Sequence, residues 1–216
     1  MDYQHILQDL EKLKPLKTKD LDNYAKTLIK KETDVRSLKQ HVVNHPVLHR
    51  IYFQTSLQLA KDVCEQFLFI EQNQELLTDW WHVDQLTQFV YKPIDFEFAY
   101  NKAKNYVQSE KPFTRRWGYV LFLTGLQKDP QTTNKILSLM KNDPAYYTQM
   151  AQAWLLCDCA VYNPEKVIEF IKTSSLDYAI LGKAIQKMVD SFRISDQDKE
   201  TVKALRPMLK LKQKEE

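Results

Sequence analysis

Glycine is nearly missing from this sequence, with three residues in 216. Sheet proteins place glycine in hairpin turns and bulges, and nucleotide-binding α/β folds place it in phosphate loops. Both classes are therefore disfavoured, and helices joined by short turns are favoured. Cysteine is sparse as well. Cys64, Cys157 and Cys159 make no paired framework, which points to a reducing compartment. No apolar run nears the roughly 20 residues that cross a bilayer. The opening Met-Asp-Tyr-Gln-His lacks the basic-then-apolar order of a signal peptide. A soluble, cytoplasmic protein with no membrane partner is expected. A strong charge of one sign is also lacking: the net charge of +3 is too small to argue for nucleic acid by itself. Only basic residues gathered on one face would do that.

What is present fits a helical array. Hydrophobic residues at 44% and charged residues at 27% give a chain of this length ample material for a core. Asp129-Pro130, Asp143-Pro144 and Asn163-Pro164 each set a side-chain acceptor before a proline, as at a helix start. Pro112 opens another helix, and Ser195 with Asp198 resembles a capping box. Apolar residues recur at three and four between these marks, as in Ile136, Leu137 and Met140. The starts keep a rhythm. Pro112 to Pro144 is 32 residues and Pro130 to Pro164 is 34, as in repeating helix pairs.

The pattern predicts helices near 2–13, 19–31, 34–44, 47–61, 63–73, 76–90, 94–108, 112–127, 131–141, 145–160, 164–172, 176–191 and 196–210. The expected fold is all-α: an α-solenoid of antiparallel helix pairs forming one domain over 1–216, with a polar tail at about 210–216. A monomer is expected.

Four segments could carry chemistry. In Trp80-Trp81-His82-Val83-Asp84 the first indole and the carboxylate lie four apart, on one helical face. Such a pair suits a cationic or oxocarbenium-like group, because the ring face attracts positive charge and the acid stabilises it. Alternatively, Trp81, Val83 and Leu86 pack inward while Asp84 bonds a neighbouring helix. Arg115 and Arg116 point about 100° apart; one could pair with Asp84 while the other meets solvent or phosphate, or either could simply tie helices together. Trp154 and Asp158 repeat the aromatic-to-acid spacing, so spacing alone is not diagnostic, and Trp154 also reads as core. Lys183 and Lys187 share a face that could meet phosphates or merely water. His41, His45 and His49 recur every fourth residue, but Pro46 interrupts them and no fourth ligand lies nearby, so no metal site is expected. No Ser-His-Asp or Cys-His set can be read.

Taken together, these four segments resemble the bacterial DNA alkylation repair family, the AlkD-like HEAT-repeat DNA glycosylases, in a divergent subgroup. The resemblance covers roughly Val47 to Arg206 and is weakest over the first 45 residues. Trp80 to Asp84 is similar to the family's Trp-x-x-Val-Asp motif, Thr114-Arg115-Arg116 to its arginine pair, and Ala151 to Leu156 to the helix bearing its second active-site tryptophan. Leu181 to Lys187 also reads like that divergent subgroup. Gly118 departs from the alanine or similar helix former usual after the arginine pair.

The resemblance implies a HEAT-like superhelix with a concave, basic groove and no lesion-shaped cavity. It implies hydrolysis of the N-glycosidic bond of cationic N3- or N7-alkylpurines in double-stranded DNA, with no cofactor. Asp84 would stabilise charge on the sugar and place a water. Trp80 and Trp154 would hold the lesion-bearing backbone. Arg115 or Arg116 would position Asp84 or clamp a phosphate, and Lys111, Lys183 and Lys187 would contact DNA. A non-catalytic DNA-binding or protein-binding scaffold of the same family is the alternative.

Overall fold

The computed structural model describes residues 3–13 and 15–215, with side chains described as far as residue 212. All regular structure among these residues is helical, so the fold is all-α as the glycine poverty implied. Contacts divide the chain into two compact units, Met1–Lys92 and Pro93–Glu216.

The first unit holds α1 (Tyr3–Glu11), α2 (Thr18–Lys30), α3 (Pro46–Leu59), α4 (Val63–Gln72) and two short helices, α5 (Trp80–Asp84) and α6 (Leu86–Phe89). The expected helix at 34–44 is a 3-10 helix over Arg36–His41. That at 76–90 is broken. Asp79 Oδ1 accepts from the Trp80 amide at 2.6 Å and starts α5 afresh. The centre of the unit is α3, which packs against α2, α4 and α6. It is buried nearly all round: Leu48, Ile51, Phe53 and Leu57 are fully covered, and so, almost entirely, are His49 and Arg50. A helix surrounded on every side must find partners for its polar residues inside the protein.

The second unit holds α7 (Phe96–Tyr106), α8 (Pro112–Val120), α9 (Thr133–Leu137), α10 (Tyr146–Tyr162), α11 (Pro164–Thr173), α12 (Tyr178–Asp190) and α13 (Asp196–Glu215). One layer is α8, α10 and α12, with α10 in the middle; α9, α11 and α13 form a second. Pro112 and Pro164 stand at first helical positions, as expected. The amide of Asp198 donates to Ser195 Oγ at 3.1 Å, which is half of the expected box. The segment 112–127 is not one helix. It tightens into 3-10 turns on either side of Gly125, whose φ of +125° no L side chain adopts comfortably. The last helix runs past 210 to Glu215, so the expected polar tail is helical up to Glu216, which lies outside the described residues.

The repeat seen in the prolines is also written in the hydrogen bonds. In the second unit Asn163 bonds Pro130 O and Asn142 bonds Ser175 O, both 33 residues apart, and Lys183 bonds Gln149 at 34. In the first unit Lys39 bonds Gln72 O at 33, and Gln85 bonds His49 at 36. Stacked repeats of one length produce this spacing.

Gly118 explains its own departure from a helix former. A Cβ there would come 2.8 Å from Val107 Cγ1 and 3.2 Å from the Val107 amide nitrogen. The backbones of α8 and the end of α7 meet at that point. Crowding of this kind costs about 1–3 kcal/mol, against a helix-propensity gain of ~1 kcal/mol for alanine. Gly118→Ala should therefore lower the thermal unfolding midpoint, as a melt followed by circular dichroism would measure.

Candidate functional site

The strongest candidate lies wholly in the first unit. Residues from α2, α3, α5 and the start of α6 enclose an open pocket of ≈ 460 Å³. Thr18 and Leu21 form one side, Pro46, Val47 and Arg50 another, and Trp80, Trp81 and Asp84 the third. Trp80 is 45% exposed, Trp81 and Asp84 are half-buried, and Val83 and Leu86 are fully buried. The helix thus turns its apolar positions inward and sets its acid and indoles at the pocket edge, as a 3.6-residue period requires. A cavity beside the acid was not expected from the sequence. It lies where the short α5, started afresh at Asp79, meets α2 and α3.

A polar network that sequence reasoning did not find runs from the pocket wall into the interior. Arg50 Nε donates to Asp22 Oδ1 at 2.7 Å, Nη1 to Gln85 Oε1 at 3.3 Å and Nη2 to Gln88 Oε1 at 3.0 Å. Its guanidinium also lies 4.9 Å from the centre of the Phe89 ring. Gln85 Nε2 in turn bonds His49 Nδ1 at 2.8 Å, and His49 Nε2 bonds Leu76 O at 3.1 Å. The rings of His49 and His82 stack at 3.6 Å, with 7° between their planes. His49 had been visible only as one rung of a histidine ladder. In the structure, His41 and His45 go instead to Tyr3, at 3.6 Å and 5.7 Å between ring centres. The signal that could have found the network is a pair of polar residues, His49 and Arg50, inside an otherwise apolar helix.

Burial pushes the His49 imidazole down to about 3; the nearby His82 adds to this and the Leu76 carbonyl opposes it. Burial likewise lowers His82 to about 4, with Asp79 opposing. Both rings are therefore neutral at pH 7.

In the second unit the expected residues take different places. Trp154, expected as either core or site, is 37% exposed on α10. Asp158, one turn on, is paired with Arg193 and lies 3.4 Å from Gln127 Nε2. Arg115 donates from Nε to Asp143 Oδ2 at 2.5 Å and from Nη2 to Oδ1 at 3.0 Å. Its Nη1 donates to the Ser109 and Glu110 carbonyls, at 2.9 Å each. Asp143 had read as a helix cap. It is a buried counter-ion whose Oδ1 also accepts from the Ala145 amide at 2.8 Å, while α10 itself begins three residues later at Tyr146. Arg116 is buried and donates from Nη1 to Tyr147 O at 2.6 Å. Lys183 Nζ donates to Gln149 Oε1 at 2.9 Å and Ala179 O at 2.8 Å, 5.3 Å from the Tyr146 ring centre. Lys111 is exposed at the start of α8, and Lys187 is half-buried on α12.

A family model described as DNA alkylation repair enzyme matches residues 3–188. The chain belongs to that family. The match takes in residues 3–45, where the sequence motifs were weakest, and reaches into both units. DNA repair is accordingly the functional class of the DNA alkylation repair family to which the site must be fitted. No curated protein and no solved structure matches the chain. No helix among the described residues is long and apolar enough to cross a membrane.

The two histidines make the polar network acid-sensitive. Their folded pKa values lie below the unfolded value of 6.5, so the unfolded chain binds more protons in between. The stability they contribute is complete above pH 6.5 and is lost as pH falls toward 4 and then 3. Urea titrations should show the midpoint dropping across that window, by up to ~1.4 kcal/mol per pH unit for each ring. In His82→Gln the slope should be shallower.

Proposed function

We propose that this protein is a DNA glycosylase that hydrolyses the N-glycosidic bond of cationic N3- or N7-alkylpurines in duplex DNA. The observation that carries this reading is Asp84 at the edge of an open pocket beside Trp80 and Trp81, in a chain of the DNA alkylation repair family.

The chemistry follows from the charge of the substrate. An alkylated purine is already positive, so breaking C1′–N returns the bonding electrons to the ring and releases a neutral base. Little acid catalysis at the base is required. Positive charge instead grows on the sugar, where a nearby carboxylate gives the largest stabilisation. Asp84 is the acidic residue of the pocket lining, and the guanidinium of Arg50 is answered by Asp22. The pocket therefore presents an acid and two indole faces, a combination that favours a cation. In this reading Asp84 also orients the water that attacks C1′ and takes up its proton.

Trp80 contacts the lesion-bearing sugar, and Trp154 contacts the strand. The fork of Arg115 is filled by Asp143 and two carbonyls, and Arg116 is buried with Nη1 on Tyr147 O, so in this reading the arginine pair serves the substrate by holding α8 against the start of α10. Lys111, Lys183 and Lys187 meet phosphates.

Release of 7-methylguanine or 3-methyladenine from methylated duplex, with protein in excess, tests the proposal. Base loss no faster than the spontaneous rate would sink it, and salt-dependent duplex binding without release would identify a non-catalytic binder instead. Asp84→Asn is expected to lower release at least ~100-fold, with duplex affinity and melting temperature nearly unchanged. Full activity in that variant would mean another group carries the charge.

A further inference from the structure

The short helix α5 carries the acid of the pocket but has little of its own to hold it in place. Five residues make fewer than two turns, and so short a helix is not self-supporting. Its rotation must be fixed from outside. The residue that follows Asp84 can do this: Gln85 is buried in the same pocket wall, and its amide is gripped from both sides by adjacent residues of α3.

The hydrogen-bond roles in that grip are forced. A guanidinium has no acceptor, so Gln85 must turn its Oε1 to Arg50 and its Nε2 to His49. His49 Nδ1 must then accept, and the proton of the neutral ring sits on Nε2, where Leu76 O receives it. His82, stacked on His49, accepts at Nδ1 from the Thr78 amide at 3.2 Å, just before α5 begins. The helix is thus held at both ends by one continuous array that starts at Asp22 and Arg50.

We infer that Gln85 is a positioning residue for Asp84: clamped between Arg50 and His49, it sets the rotation of α5 that turns the carboxylate toward the pocket. The inference rests on the proposed glycosylase reading for its catalytic consequence, but the clamp itself does not.

Two variants test it by single-turnover release of 7-methylguanine from methylated duplex, alongside duplex affinity and a melt. Gln85→Leu keeps the bulk and removes both hydrogen bonds. Its release constant should fall ~10–100-fold, the cost of a misplaced group about 1 Å out of position, while duplex affinity stays within about twofold. Gln85→Glu keeps the acceptor for Arg50 but takes away the donor for His49. The introduced carboxylate needs a proton on His49 Nδ1 as well as on Nε2. Release by Gln85→Glu should therefore be close to that of the parent protein at low pH and decline as pH rises, where the parent protein shows no such decline. Of the charged and titratable groups around His49, His82 is stacked on it, Arg50 is its chain neighbour with Asp22 as counter-ion, and Asp79 and Asp84 stand at the two ends of α5.

A merely structural role would lower stability without creating that pH dependence. If Gln85→Leu fails to fold, the pH profile of Gln85→Glu decides. If the parent protein releases no base, the glycosylase reading falls and the clamp is judged by the indole ¹H–¹⁵N resonances of Trp80 and Trp81. Shifts in Gln85→Leu, and pH-dependent shifts in Gln85→Glu, support it. Unmoved resonances, or unchanged release in both variants, overturn it.

Discussion

A single guanidinium in the interior sets the arrangement of the first unit. Arg50 sits on a helix buried almost all round, and an unpaired charge there would cost several kcal/mol. Asp22 from α2, Gln85 beyond α5, Gln88 on α6 and the face of Phe89 together satisfy it. These groups come from two stretches of chain, Asp22 from one and residues 85–89 from the other. Any packing of α2, α5 or α6 that moved one of them away would leave the charge exposed to apolar surroundings. The polar network therefore selects one packing among the many that would bury a similar apolar area, which hydrophobic contact alone does not do.

The same logic picks out charged residues that build the second unit. Arg115 with Asp143 and Arg193 with Asp158 each join segments far apart in sequence, and each spends its guanidinium in doing so. Asp84 and Asp158 show how little a local pattern says about this. Both lie four residues after a tryptophan on a helix. One is tied to the turn after α12 and the other borders a pocket. What differs is the helix: α10 has 17 residues and is covered by α8 and α12, whereas α5 has five and stands at an edge.

Features written in short stretches of sequence were legible. The all-α class followed from three glycines, the helix starts at Pro112 and Pro164 from proline's missing amide proton, and the repeat from the proline spacing, which the hydrogen bonds between repeats reproduce. Asp143-Pro144 failed for a definite reason: a carboxylate before a proline serves equally well as a cap or as a counter-ion, and Arg115, 28 residues earlier, claims it. The breaks at Asp79 and Gly125 were hidden because apolar periodicity runs across them and is the stronger local signal. The Arg50–Gln85–His49 array was invisible for a deeper reason. Its members are separated by 35 and 36 residues, one repeat length, and only the stacking of repeats brings them together.

That repeat length also bears on how the proposed chemistry would divide its labour. Arg50 and Arg115 are engaged by internal partners, Arg193 is paired with Asp158 at the surface, and Lys183 spends two of its three donors internally, so these four offer little to phosphate. Phosphate contacts made by the remaining basic residues would be strongly weakened by salt. Duplex binding on this reading is thus undemanding, and discrimination must come from the pocket. There a carboxylate and two indoles, held by a network whose own charges are balanced, reward the positive lesion over the neutral base. Selectivity for a cation then needs no shape-matched cavity. It needs only that the acid be held at the right angle, which is the task the buried array performs.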